Sequence, residues 1–381
     1  MKLFEKYLPL DVIRYIDTFV YIKLNNETIR DAIKLYFEDK EQCLILYGDM
    51  PDWNTSKVTD MLGLFKNISQ EIPDISRWNV SNVTNMSSMF CNAINFNQNL
   101  NNWNTSNVTN MNQMFSSCEK FNGDISQWNV SNVRNMSFMF GYATNFNQNL
   151  NNWNTSNVRN MSLMFGSAKS FNSDISEWNI SNVTDISSMF SFARSFNQNL
   201  SKWNLTNVTY MSSMFYNAIS FNSDISQWNL TNVTDMSCMF YNAINFNSDI
   251  SNWNVSNVTN MSSMFYNAIS FNSDISNWNV TKVADMSSMF HGAINFSCDL
   301  SKWNVSNVVN MSYMFYRAKI FNSDISKWNV RNVRNMSFMF HDAKKFDKNI
   351  SHWNVSNVRS STNIFYNCKI KQEHKPRFRI E

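Results

Sequence analysis

The chain has 381 residues, 43% of them hydrophobic and 15% aromatic, and a formal charge of +3. One core rarely grows past about 250–300 residues, so this length calls for two domains or a repeat array. The balanced charge speaks against a non-specific nucleic-acid binder, and no apolar run approaches the ~18–20 residues that span a bilayer.

Residues 1–25 are expected to form an N-terminal helix. Glu5, Lys6, Asp11, Arg14 and Asp17 interrupt its apolar positions. No signal-peptide core or small-residue cleavage site is visible, so an intracellular, cytoplasmic location is expected. Residues 26–52 read as a helical cap. From residue 53 to 369 the chain repeats itself: thirteen tryptophans, Trp53 to Trp353, stand 25 residues apart. Each is followed by Asn, and five residues after each stands Val, from Val58 to Val358.

A fixed short period means stacked units, because one unit cannot bury its own apolar face. Propeller blades need ~40–50 residues; 25 suits one coil of a leucine-rich-repeat-like solenoid. In the copy at Trp253, the residues Val258, Met261, Met264, Phe265 and Ala268 follow a helical stripe. Ser256 stands where an N-cap would. Trp253 and Val255 alternate as a half-buried strand does. The expected fold is therefore an α/β repeat of about thirteen coils, each a short parallel strand (252–256) plus a short helix (257–267). Of 24 methionines, 22 fall in the two rows of Met261 and Met264, as core filler. The Asn after each Trp is expected to face out and bond along the stack.

Two rows vary where their neighbours do not. The residue before each Trp should face solvent and is the candidate protein-binding row: Arg77, Gln127, Glu177, Lys202, Gln227, Lys302, Lys327 and His352. The same row holds Asp52, Asn102, Asn152, Asn252 and Asn277. A second row includes Tyr216, Tyr241, Tyr266, His291, Tyr316, His341 and Tyr366, either a contact patch or a cover for the coil ends.

A third row carries Asp224, Asp249, Asp274, Asp299 and Asp324 on consecutive copies. Stacked carboxylates suit Ca²⁺. Asn99, Asn149, Asn199 and Asn349 share the row, however, and turn bonding common to Asp and Asn accounts for both. The six cysteines fall in different rows without CxxC spacing, and the four histidines make no HExxH. There is no P-loop, GxSxG or GxGxxG. No catalytic activity, cofactor or metal is expected.

The string "WNVSNVTNMSSMF" resembles the BspA-type leucine-rich repeats of bacterial surface lipoproteins, a family that also occurs in protists and large DNA viruses. The resemblance covers roughly residues 27–369 and includes the lead-in "ETIRDAIKLYFEDKEQCLILYGDMPDW". It implies a right-handed solenoid used for adhesion or protein binding, without catalytic residues. "LPLDVIRYIDTFV" resembles the first helix of an F-box, which implies that Leu8, Pro9, Val12, Ile13, Ile16 and Phe19 dock a Skp-type adaptor. A generic amphipathic cap helix reads the same residues equally well. The basic tail, 370–381, reads as a loose end. The main expectation is a monomeric intracellular scaffold for protein partners. A substrate adaptor of a cullin ubiquitin ligase and a surface adhesin are the alternatives.

Overall fold

In the computed structural model, residues 21–378 are described. Two α-helices occur among them, α1 (Thr28–Glu38) and α2 (Lys40–Tyr47), both ahead of the first tryptophan. Asn25 opens α1 by accepting bonds from the amides of Glu27 and Thr28 through its side chain. Asp39 opens α2, accepting from Gln42, and Gly48 (φ 75°) closes it in the left-handed region that glycine takes without strain. The buried face of α1, Ile29, Ala32, Ile33 and Tyr36, begins the core.

Beyond α2 there are thirteen stacked coils. They are joined by twelve parallel bridges, one residue per coil, running from Asp60↔Asn85 to Asn335↔Ser360. This corrects the expected α/β repeat. Among the described residues no coil holds a helix or an extended strand. The single bridge residue lies seven after each Trp rather than beside it.

The stretch expected to be strand bends at once. Asn254 accepts from the Ser256 amide two residues on, and Val258 N–H closes a turn onto Val255. The stretch expected to be helix is a run of linked four-residue turns. Met264 donates to Met261, Tyr266 to Ser263 and Ala268 to Phe265, while Met261, Ser263, Phe265 and Asn267 donate to the next coil. The apolar spacing of 3, 6, 7 and 10 fits these turns as well as a helix.

Such turns have a conformational cost. The third residue of the turns begun by Met261 and Phe265 takes positive φ, and does so in every coil, at 49–66°. Only Gly63 and Gly292 among these 26 positions are glycine. The others carry Ser, Asn, Asp, Cys, Gln, Arg, Leu or an aromatic, and never Val, Ile, Thr or Pro. Each non-glycine residue so placed costs about 1–2 kcal/mol. In the first twelve coils it is held there by its amide, which bonds the following coil; Asn363 and Asn367 take the same geometry in the last coil, which has no coil after it.

The core is three aromatic columns. Tryptophans stack at 5.9–6.5 Å between centroids where they pair, as in Trp53–Trp78 and Trp303–Trp328. Phenylalanines in the Phe265 row stack at 5.8 Å onto the next coil, and within a coil Phe265 lies 3.7 Å from Phe271. From Trp78 on, each indole N–H reaches back 28 residues to a backbone carbonyl, as Trp253 does to Ile225 at 3.0 Å. A buried indole donor needs such a partner.

The ends imitate missing coils. Gly48 and Met50 supply the carbonyls for Trp53 and Trp78, and the Asn26 side chain accepts from the Thr59 and Asp60 amides. The tail read as a loose end closes the other face. Ile370 is buried, His374 accepts the Ile350 amide, and Asp347 accepts the Lys371 amide.

Replacing Ser213 tests the turn geometry. Ser213→Gly should raise stability by up to ~1 kcal/mol, since glycine relieves left-handed strain but adds chain entropy. Ser213→Val should lower it by about 1–3 kcal/mol. Urea midpoints measure both; a valine variant as stable as the parent contradicts the turn.

Candidate functional site

Along each coil, exposure alternates around the tryptophan. The residue before it is exposed, the indole buried, the following Asn exposed and the next apolar residue buried. The residues of the candidate row, Arg77, Gln127, Glu177, Lys202, Gln227, Lys302 and Lys327, all stand in the solvent, as does His352. Stacking brings them into one file at a separation set by the coil spacing, about 4.8 Å.

Their bonds are few and local. Lys202 pairs with Glu177 one coil away, and Lys302 reaches Asn277 at 3.5 Å. Gln227 bonds the neighbouring Ser226 hydroxyl, and Gln127 the Ser126 hydroxyl, at 3.2 and 3.4 Å. His352 meets the Ser326 carbonyl at 2.9 Å.

The Asn after Trp is fixed for a different reason from the one expected. It faces out, but its side-chain oxygen accepts the amide two residues on, as Asn229 does from Thr231 at 3.1 Å. The ladder along the stack lies elsewhere. In the row from Asn97 to Asn272, each side-chain oxygen accepts the backbone N–H of the same row in the next coil, at 2.7–2.9 Å. A second set, the Asn four after Trp, donates to the preceding coil, as Asn257 does to Thr231 at 2.7 Å.

The aspartate row turns its charge inward on its own backbone. Asp249, Asp274, Asp299 and Asp324 each accept the Ser amide two residues on, at 2.9–3.1 Å. That amide leads the forces holding Asp249 and Asp299 below the usual carboxylate range; for Asp274 and Asp324 the serine hydroxyl leads and the amide follows. Lys302 adds a smaller pull on Asp274 and Asp299, and Lys348 and Lys327 on Asp324. Two lysines of the candidate row are thus countercharges for the stacked carboxylates, a role the sequence does not display.

The aromatic row forms one continuous column. From Tyr216 to Tyr366 seven rings stack at 4.0–4.8 Å. The column is half-buried in itself, and Tyr366 at its end is 62% exposed. Burial pushes the His291 imidazolium down to about 4, so this ring is neutral at neutral pH. The six cysteines are free, and the docking residues Leu8, Pro9, Val12, Ile13, Ile16 and Phe19 lie outside the described residues. Among the described residues no helix is long and apolar enough to cross a membrane.

With this geometry in hand, comparison defines a class: repeat proteins of the family described as "Mycoplasma protein of unknown function, DUF285". Four stretches match it, residues 32–152, 121–223, 196–294 and 272–377, and the chain belongs to that family. No curated relative matches. Among solved structures, a leucine-rich repeat protein from Eubacterium ventriosum shares 11% identity over 93% of this chain and 90% of its own, with a TM-score of 0.36. The mouse RP105/MD-1 complex shares 10% over 71% of this chain and 50% of its own, with a TM-score of 0.25.

The aspartate row generates a pH prediction. Carboxylates depressed in the folded state contribute stability above their unfolded pKa, ~3.9, and lose it as pH falls through the folded value. Asp249→Asn/Asp274→Asn/Asp299→Asn/Asp324→Asn should fold at pH 7, because Asn holds the same turn at Asn99 and Asn149. Its melting temperature should fall less than the parent's between pH 5 and pH 2.5. An equal fall in both proteins contradicts the assignment.

Proposed function

We propose that the chain is a non-enzymatic scaffold that binds protein partners along the file of residues preceding the tryptophans. The observation that carries this reading is a contrast between adjacent exposed positions. The Asn after each Trp is held by its turn. The residue before each Trp varies in size and charge from coil to coil, and among them Lys302 and Lys327 serve the stack as weak countercharges to the aspartate row. A rigid backbone that repeats while one exposed file varies can address a partner over many coils, as extended repeat surfaces do. Ser, Asp and His occupy repeating rows rather than converging once, which supports a binding role over a catalytic one.

The basic end of the file, Lys302, Lys327 and His352, follows the Glu177–Lys202 pair by four coils. A partner that engages the whole file would therefore present acidic groups toward the C-terminal coils. Exposed pairs such as Glu177–Lys202 contribute little to stability, so the file can be altered without unfolding the stack.

Arg77→Ser/Glu177→Ser/Lys202→Ser/Lys302→Ser/Lys327→Ser tests the reading. The immobilised variant should retain bound proteins less well than the parent at an unchanged melting temperature. Equal retention of the same proteins by both forms contradicts binding through this file.

A further inference from the structure

The row six residues after each Trp carries threonine in seven coils, Ala284 and Val309 in two, and arginine in two adjacent pairs, Arg134–Arg159 and Arg334–Arg359, of which Arg134 and Arg159 line a cleft. Its backbone runs from coil to coil. Arg134 N–H donates to Thr109, Arg159 to Arg134 and Thr184 to Arg159, each at 2.9 Å. The two arginines therefore leave the stack side by side at the coil spacing, about 4.8 Å.

Threonine in this row has a structural use. Thr109 and Thr184 donate their hydroxyls to the preceding coil's carbonyl at 3.1 and 3.2 Å. Arginine gives up that bond and sets two like charges together. Among the described residues neither guanidinium has an ion-pair partner.

The space between them is a polar cleft of about 220 Å³ lined by Asn132, Arg134, Asn157, Arg159 and Asn182. The three asparagines are held in place by bonds from their Nδ2 to Ser106, Ser131 and Ser156 at 2.7 Å. No carboxylate lines the cleft. Two planar forks with five donors each, one coil apart, match a tetrahedral oxyanion that takes two donors from each side. A water takes about 30 Å³ of liquid volume, so the cleft has room for such a group with part of its hydration.

We propose that Arg134 and Arg159 form a binding site for a doubly charged tetrahedral oxyanion, a phosphate group. It rests on a different row from the protein-binding file and stands without it. The phosphate is either the free ion or a phosphoryl group carried on a polypeptide side chain.

Inorganic phosphate titrated into the full chain tests it, followed by the arginine Nε–Hε signals in NMR spectra. Saturable shifts of Arg134 and Arg159 are expected, without an equivalent from chloride at matched ionic strength. Arg134→Gln/Arg159→Gln, which lacks those two signals, should show no saturable shift at the side-chain amides of Asn132, Asn157 and Asn182 that line the same cleft, while melting no lower than the parent in phosphate-free, low-salt buffer. Linear shifts, equal effects of chloride, or saturation that persists in the double variant would overturn the site. A singly phosphorylated serine peptide then separates the sources. Tighter binding than inorganic phosphate, lost on dephosphorylation, assigns a phosphoprotein; weaker binding assigns the free ion.

Discussion

Between Met261 and Asn267 every second amide points out of its own coil to a carbonyl of the next. Most of what distinguishes this fold depends on that choice. An amide given to the neighbouring coil is lost to a helix, so the segment closes instead through four-residue turns. Those turns require left-handed residues at two fixed places per coil. The bond and the strain stabilise and cost free energy in the same residues, and only a stacked neighbour supplies the bond. A single coil is therefore unstable, and the 25-residue sentence has to recur.

The side chains follow the same logic. Indole donors, asparagine amides and threonine hydroxyls all cross to an adjacent coil at backbone distances of 24 to 28 residues. Where the stack runs out, other groups stand in. Asn26 and the carbonyls of Gly48 and Met50 serve the first coils, and Asp347 with the Ile370–Phe378 segment serves the last. The caps are thus substitutes for particular hydrogen bonds as well as covers for apolar surface.

Much of this is legible in the sequence, and the rest is hidden for physical reasons. The period, the buried rows and the exposure on either side of Trp253 follow from the apolar pattern alone. The backbone does not. The spacing of Met261, Met264, Phe265 and Ala268 serves linked turns as well as a helix, and glycine marks only two of the left-handed places, Gly63 and Gly292. Elsewhere only a negative signal was present, the absence of β-branched residues at Ser263, Asn267 and their counterparts. In the candidate file, exposure was legible, but the countercharge role of Lys302 and Lys327 was not. It depends on where stacking sets Asp274, Asp299 and Asp324. The asparagine ladder was expected beside Trp and lies in the Asn97–Asn272 row, because the Asn beside Trp is already engaged by its own turn.

The claim on which the rest stands is that these segments bond their neighbours rather than themselves. Scalar coupling across hydrogen bonds, measured by NMR on deuterated protein, reports it one bond at a time. The Phe215 amide nitrogen should couple to the Met239 carbonyl carbon, its partner at 2.9 Å in the next coil. Coupling instead to the carbonyl of Met211, four residues back in the same coil, would mean a helical turn and would contradict the account.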